Sequence, residues 1–505
     1  MLLNNLILSI SKNRFKQVDY FCEHPFEAQE KVFRYLISRA RDTEFGKQYN
    51  FPSINSIEAF QQNVPLFEYE AIKPFIDKMR QGQSNILWSS KAAWFAKSSG
   101  TTGSKSKYIP VTKESLHGCH FRGSKDVVLS HLRQYPKSKM LKGKSLTLGG
   151  SHAIDELSSN VKSGDLSAIL IQNAPFYTTF SRAPKKATAL IPDFETKLKR
   201  IAEETSKQNI TGFAGVPSWN LVMMRYILDY TGKQNLLEIW PDLSFFMHGG
   251  ISFGPYRKQF EAIIPSQEML YRETYNASEG FFALQNDLSD SGMLLIMDSG
   301  VFYEFIPMSE FGTPNSSAIT VADVKMGVSY AMIISTNSGL WRYIIGDTVE
   351  FTSLYPHKIK ITGRTKHFIN VFGEELMVHN AEQALSVACE AASAIVKEYT
   401  VAPIFMEERT KGAHEWVVEF EKAPVDYNDF ADILDKELTV VNSDYEAKRA
   451  KSVTLNRLKL SPVPNGTFYE WMKQCGKLGG QNKVPRLYNS REYAEELLTI
   501  AKTIK

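Results

Sequence analysis

Four short segments bring glycine, hydroxyl, carboxylate and lysine side chains together in ways that suit phosphate chemistry. The first is Lys97-Ser98-Ser99-Gly100-Thr101-Thr102-Gly103-Ser104-Lys105-Ser106-Lys107, which runs into Tyr108-Ile109-Pro110-Val111-Thr112. Its glycines permit backbone angles that turn successive N–H groups inward, forming an anion-binding concavity. The hydroxyls and lysines add donors and positive charge for the oxygens of a triphosphate. It is not a Walker A loop, because no Gly-Lys-Ser/Thr follows the glycines. A polar surface loop has the same composition, and the apparent strand Tyr108–Val111 beside it favours the phosphate reading.

The second segment is Thr274-Tyr275-Asn276-Ala277-Ser278-Glu279-Gly280 at the end of an apparent strand. Ligands of α/β proteins sit outside the carboxyl ends of strands. Glu279 there can hold a magnesium ion that bridges phosphates, since hard cations take oxygen ligands. The competing reading is a capped strand-end turn. In the third, Leu340-Trp341-Arg342-Tyr343-Ile344-Ile345-Gly346-Asp347, the aspartate can accept both hydroxyls of a ribose, although Gly-Asp is also ordinary turn chemistry. The fourth, Gly479-Gly480-Gln481-Asn482-Lys483-Val484-Pro485-Arg486, presents Lys483 from a glycine loop as a movable point charge for a phosphoryl transition state. Most loop lysines are only solvated.

A competing pattern lies at Gly250-Ile251-Ser252-Phe253-Gly254, which fits G-x-S-x-G between an apparent strand and helix. Ser252 would be the nucleophile of a hydrolase, with a base drawn from His357, His367, His379 or His414. The elements that follow do not alternate strand and helix as such a hydrolase requires. That reading also leaves the loop at 98–103 without a role.

The elements that must position these segments fall into four stretches. The first ninety residues read as helical, with a helix after Pro25 and another over Glu68–Arg80, interrupted or restarted at Pro74. From Ser145 to Glu273, short apolar runs (145–150, 167–171, 210–215, 243–250, 268–275) alternate with amphipathic segments at Phe194–Gln208, Pro217–Tyr230 and from Pro255. Such alternation predicts a mostly parallel sheet covered on both faces. Between 281 and 362, the runs Phe281–Leu284, Met293–Met297, Val301–Ile306, Val328–Ser335, Trp341–Ile345 and Lys358–Ile361 predict an antiparallel, barrel-like part. Beyond Arg364 the spacing predicts strands at His367–Phe372, Glu415–Phe420 and Ser452–Leu460, with helices at Asn380–Glu398, Phe430–Val441 and Phe468–Gln474. The expected fold class is therefore α/β. A large N-terminal domain spans 1–364, and a smaller, mobile α+β domain spans 365–505.

The 505 residues suggest about three domain-sized units. With 43% hydrophobic and 23% charged residues, the chain is neither disordered nor fibrous. Fifty-nine basic against 55 acidic residues give a net charge of +4, too small at this length to indicate nucleic acid. Cys22, Cys119, Cys389 and Cys475 lie far apart and form no CxxC pair, which suits reduced thiols in the cytoplasm. No cleavable signal and no membrane span of about 20 apolar residues is expected.

Taken together and in order, the segments resemble the GH3 family of acyl acid amido synthetases, within the adenylate-forming superfamily. Ser98–Gly103 with Lys107 and Ile109–Thr112 resembles its first nucleotide motif, Tyr275–Glu279 its second and Trp341–Asp347 its third. Gln481–Arg486 resembles the stretch that carries its C-terminal lysine. The likeness extends over Val301–Pro307 and Val321–Gly327 and spans about residues 25 to 490. It implies ATP and magnesium as cofactors. Ser98, Ser99, Gly100, Thr101, Thr102 and Gly103 would embrace the phosphates, and Gly249 and Gly250 would border the adenine. Thr274, Tyr275 and Ser278 would line the nucleotide, Glu279 would bind the metal, and Asp347 would bind the ribose. Arg364 would stand at the pivot beside the nucleotide, and Lys483 would swing in for adenylation. The implied partners are a small carboxylic acid and an amino acid, with an acyl-CoA ligase as the alternative. Ala277 and Ile344 depart from the usual motifs, and no acyl pocket carries over.

Overall fold

The computed structural model describes residues 2–98, 107–150, 152–155, 158–250, 253–313, 316–365, 368–369, 376–404, 412–442, 445–446, 449, 455–478, 483–488 and 490–504. The chain divides into two compact units. One comprises Met1–Ile251, Ile263–Ile345 and Val349–Lys360; the other comprises Ser252–Ala262, Gly346–Thr348 and Ile361–Lys505.

A twelve-stranded sheet organises the first unit. Its parallel half runs through Arg182–Ala183, Lys144–Thr147, Ile210–Gly215, Phe245–Gly249 and Leu270–Ala277. Helices between them return the chain so that the strands point the same way. At Leu270–Ala277 the sheet changes sense: Gly280–Leu284 pairs with it antiparallel, then Met293–Leu295 antiparallel to that. The sheet continues through His357–Arg364, Tyr343–Leu354, Ser329–Thr336, Val301–Pro307 and Ile319–Thr320. The strands expected as an antiparallel part appended to the parallel ones extend them edge to edge in one sheet.

A second, four-stranded sheet places Trp94–Ser98 between Lys107–Val111 and Ser158–Gly164, with His152–Asp155 at its far edge. The helix Pro25–Ala40 is stitched to the main sheet by Gln29, which donates to the carbonyls of Met297 and Val301 and accepts from the Tyr303 N–H. Phe33, Phe45, Phe51, Phe60 and Trp341 close an aromatic core beside it, with ring centroids 4.8–6.4 Å apart.

The second unit contains a three-stranded sheet, Ile395–Ile404, Ala413–Lys422 and Lys459–Val463, under the helices Val378–Ala391 and Tyr427–Val441. The helix Gly254–Ile263 belongs to this unit: the Gln259 amide donates to Val396 O at 3.0 Å and the Tyr256 hydroxyl to Glu398 at 2.9 Å.

Several elements differ from their expectation. Ser167–Ile171 is part of a helix, Leu166–Asn173, because a wholly apolar run has no period that separates strand from helix and Asp165 starts it in extended conformation. Pro74 does not interrupt Tyr69–Arg80; buried Ile72, Ile76 and Met79 hold one face of that helix across the missing N–H. The helix expected over Asn380–Glu398 ends at Ala391, and Ser393, in the left-handed region, turns the chain into the β-branched strand Ile395–Ile404. Of His367–Phe372 only Phe368–Ile369 is described as strand, and the strand near Ser452–Leu460 starts at Lys459.

Candidate functional site

In the first unit the carboxyl ends of the parallel strands carry the first set of candidate residues. Gly249 closes Phe245–Gly249 and faces Thr274 across the ladder. A Cβ on Gly249 would stand 2.3 Å from the Thr274 carbonyl oxygen, so only glycine fits where the two strands approach. The Thr274 hydroxyl donates to His248 O at 3.0 Å and locks the second motif to that strand. Gly250 takes φ +85°, a left-handed reversal that lets the chain leave the sheet.

Beyond Thr274, Tyr275 is buried with its ring 4.9 Å from that of Phe282. Gly280 pairs with Ala277, which leaves Ser278 and Glu279 as a two-residue turn. Turn tips are ordinarily exposed, yet Ser278 and Glu279 are only 9% and 7% exposed. Support comes from behind: the Phe281 N–H donates to Cys119 Sγ at 3.2 Å, and a Cβ on Gly123 would lie 2.3 Å from the Phe281 ring. A hairpin turn held this way is a rigid mount for one hydroxyl and one carboxylate.

Two charged residues that sequence reasoning missed stand at the same strand ends. Glu273 pairs with His248 across the ladder, and burial pushes its carboxyl up to about 7. Alternation puts its side chain on the face opposite Arg272, which donates to His131 Nδ1 and Gln285 O. Lys197 donates to the carbonyls of Gly149 and Gly150 at 2.6 and 3.3 Å, and burial pulls it down to about 8. A charge pair, Arg272-Glu273, inside a strand was the available signal for the first; Lys197 gave none, being one of two lysines on an amphipathic helix.

Ser98 ends its strand as the cross-strand partner of Lys107. Ser99, Gly100, Thr101, Thr102 and Gly103 lie outside the described residues, as does Ser252, on which the hydrolase reading depends.

The second unit brings together Asp347, Arg364 and Lys483. Gly346, at φ +91°, delivers Asp347 7% exposed, and Arg364 Nε lies 3.1 Å from its Oδ1. The Thr365 N–H donates to Gly346 O at 2.9 Å and fixes the two strand segments side by side. Burial first, then repulsion from Arg364, pulls the Lys483 ammonium down to about 8 against the attraction of Asp347.

The lysine's own stretch is anchored three residues on. Arg486 donates to Glu398 at 2.5 Å, to Tyr399 O at 3.0 Å and to the Tyr256 hydroxyl at 2.6 Å. Burial opposes the Arg486 charge, but Glu398 and the two phenols outweigh it and the pKa is raised. The Thr400 hydroxyl donates to Pro485 O and the Val401 N–H to Arg486 O, so 485–487 run along a strand edge. Carboxylate and guanidinium from two consecutive strands thus gather with a cation from far downstream in the chain. They can neutralise and orient phosphate or hydroxyl groups; they do not form a nucleophile–base pair.

Comparison with known proteins finds three family models on this chain. The GH3 family N-terminal domain matches residues 14–269, the central domain 294–364 and the C-terminal domain 379–492. The Arabidopsis thaliana indole-3-acetic acid-amido synthetase GH3.3 is 24% identical, over 91% of this chain and 88% of its own. The 4-substituted benzoates-glutamate ligase GH3.12 of the same plant is 22% identical over 98% of both chains. Among solved structures, the GH3.15 acyl acid amido synthetase superposes with a TM-score of 0.76 at 18% identity, over 95% of this chain and 93% of the other. A 2-hydroxyisobutyryl-CoA ligase in the postadenylation state superposes at 0.59 and 11% identity, over 94% and 92%.

Proposed function

This chain belongs to the GH3 family, and from that premise we propose that it is an adenylate-forming ligase joining a carboxylic acid to an amino acid at the expense of ATP. The observation that carries the reading is the Asp347–Arg364–Lys483 cluster. A bare carboxylate has a poor leaving group; adenylation replaces it with a good one. An oxygen of the acid attacks the α-phosphorus, the bond to pyrophosphate breaks, and an acyl-adenylate remains. The amine nitrogen then attacks the acyl carbon, AMP leaves, and an amide results. The first step needs alignment and charge neutralisation, which lysine and hydroxyl donors supply without a nucleophile of the protein's own.

In this reading Lys483 stabilises the charge on the transferred group, Asp347 accepts the ribose hydroxyls, and Arg364 orients the Asp347 carboxylate. Thr274, Tyr275 and Ser278 line the nucleotide, Gly249 and Gly250 border the base, and Ser98 to Gly103 surround the phosphates. Among the described residues no group of three or more His, Cys, Asp or Glu could hold a metal by itself. The buried carboxylate of Glu279 instead fits magnesium that arrives with phosphate, since this ion is commonly held by one or two carboxylates plus substrate oxygens. Bound there, magnesium would neutralise phosphate charge. The two half-reactions need different surroundings, which supports the division at 364 with a mobile domain over 365–505. Four free cysteines support a reducing, cytoplasmic setting.

The test is pyrophosphate release from ATP and magnesium with a panel of carboxylic acids, alone and with each amino acid or coenzyme A. Acid-dependent pyrophosphate and an amide detected by mass spectrometry are expected. No acid-dependent pyrophosphate across the panel would overturn the reading; a thioester in place of an amide would convert it to an acyl-CoA ligase.

A further inference from the structure

The parallel half of the twelve-stranded sheet carries its candidate nucleotide residues at the carboxyl ends of the strands. The amino ends are crossed by one continuous run of chain, residues 133–144. Lys139 pairs with Glu268 at 2.9 Å, just before the strand Leu270–Ala277, and Lys142 with Asp242 at 3.7 Å, before Phe245–Gly249. The Thr211 hydroxyl then donates to Met140 O, the Lys144 N–H to Asn209 O and the Ser145 N–H to Ser181 O. These bonds take the run past Ile210–Gly215 to the start of Arg182–Ala183.

The run holds Arg133, Lys137, Lys139, Lys142 and Lys144 and no acidic residue. Arg133, Lys139 and Lys142 meet Asp19, Glu268 and Asp242 in surface pairs, which contribute little and are screened by salt. Lys137 is exposed and makes no ion pair among the described residues, and the same holds for Lys12 at the start of the helix Lys12–Glu23. Positive charge therefore remains after the acidic partners are counted.

An inverted helix sits on this run. Leu2–Ile10 contains no charged residue, and its polar Asn4 is buried, donating to Pro136 O and Ser138 O at 2.9 Å each. Leu2, Leu3, Leu6 and Ile10 share another face at helical spacing and are 50–89% exposed. A helix against water ordinarily does the reverse, burying its apolar stripe. At the other end of the run, Phe176, Tyr177 and Phe180 of the short helix Phe176–Phe180 are 71–79% exposed. Arg182, Lys185 and Lys186 follow them, and no acidic residue lies between 166 and 192.

We propose that the amino end of this sheet is a docking face for an anionic membrane surface. Leu2, Leu3, Leu6 and Ile10 enter the boundary between headgroups and acyl chains, and Phe176, Tyr177 and Phe180 form a second anchor. Lys12, Lys137 and the rest of the basic run meet the lipid phosphates and carboxylates. Nine residues are too few to span a bilayer, so the contact is peripheral. Charge selects this occupant. A second copy docked symmetrically through the same helix would set Lys12 and Lys137 against their own counterparts, and a soluble polyanion would leave the leucines and phenylalanines in water. Gly249, Thr274 and Ser278 lie toward the opposite ends of the strands, so docking leaves them open to solution.

Flotation of the full chain with lipid vesicles tests it. Phosphatidylcholine alone is compared with phosphatidylcholine containing about one third phosphatidylserine, at about 0.1 and 0.5 M salt. Binding should favour the anionic vesicles by about tenfold or more, the scale of two lysines at such a surface, and should fall as salt rises. Lys12→Glu with Lys137→Glu should erase that preference. Leu2→Ser, Leu6→Ser and Ile10→Ser together should weaken binding to the anionic vesicles by more than about tenfold, and so should Phe176→Ser with Phe180→Ser. Every replaced side chain is exposed, so each variant should melt with the native chain. Equal binding to neutral vesicles, or binding to neither, overturns the proposal. Binding that survives either apolar set is attraction by charge alone and overturns it too. A dimer in sedimentation velocity that the Leu2, Leu6 and Ile10 replacements dissolve would assign the helix to a second copy and overturn it equally.

Discussion

Lys483 is the residue whose protonation should set the pace of the first half-reaction. A pKa pulled down to about 8 leaves the ammonium largely formed at pH 7 and lost as pH rises through 8. The kcat/KM for acid-dependent pyrophosphate release reports the free enzyme, so its basic limb should fall near pH 8. Lys483→Arg should move that limb upward, since guanidinium holds its proton. Lys483→Ala should cost about a hundredfold or more at pH 7. A profile flat to pH 10 in the native chain would remove the lysine from this role. Glu273 makes the opposite kind of statement, about stability. Its folded pKa of about 7 lies above the ordinary carboxyl value, so folding gains nothing from it below about pH 4 and is progressively penalised as pH climbs toward 7. The full penalty is on the order of 3 kcal/mol at pH 8. Urea midpoints of Glu273→Gln and the native chain, measured from pH 5 to 8, should diverge with rising pH in favour of the variant. At this scale the sequence was legible where a residue type announced itself beside glycine: Asp347 after Gly346, Lys483 after the glycine pair. It was silent on Glu273, because a carboxyl's burial is set by strands paired through space.

Elements were legible when punctuation bounded them. Ile210–Gly215 and Phe245–Gly249 end in glycine, and Pro217–Thr231 begins with proline and closes on Gly232 at φ +67°. Ile395–Ile404 escaped because Ser393 makes the same left-handed turn without being glycine. The third motif shows what a local pattern cannot hold. Arg342 sits at φ +38°, buried, with Nε 3.1–3.2 Å from both Glu304 oxygens and Nη1 on the carbonyls of Gln61 and Val64. Gln61 donates in turn to Glu304 at 2.9 Å. This network ties the helix Ile57–Asn63 and the strand Val301–Pro307 to the start of Tyr343–Leu354. Arg342→Ala would strand the Glu304 charge in the core, at about 3–5 kcal/mol. The paired replacement Arg342→Met with Glu304→Leu removes both charges and should recover most of that loss. Denaturation midpoints of the single and double variants decide it: equal losses would mean that the orphaned carbonyls of Gln61 and Val64, not the stranded carboxylate, dominate.

On the scale of the whole chain, the linear reading supplied one cut, at 364, because composition and strand texture change there. The compact units are interleaved instead: the second takes Ser252–Ala262 and Gly346–Thr348 from far upstream. No periodicity reveals this, since Tyr256 and Gln259 find their partners 142 and 137 residues later, at Glu398 and Val396. The consequence can be measured on fragments of this second unit. A piece spanning 365–505 retains the buried Arg486–Glu398 pair, but both lose the Tyr256 hydroxyl and Val396 loses the Gln259 amide. Each hydrogen bond exchanged for water costs about 0.5–1.5 kcal/mol net. For a fragment this size that should lower Tm by on the order of 10 °C relative to the same piece carrying residues 252–263 through a Gly/Ser linker. Tyr256→Phe in the linked version should forfeit part of the gain by deleting only the hydroxyl. If the bare and linked fragments melt together, helix Gly254–Ile263 contributes nothing to the folding of that unit, and the single cut describes the chain better than the interleaved division does.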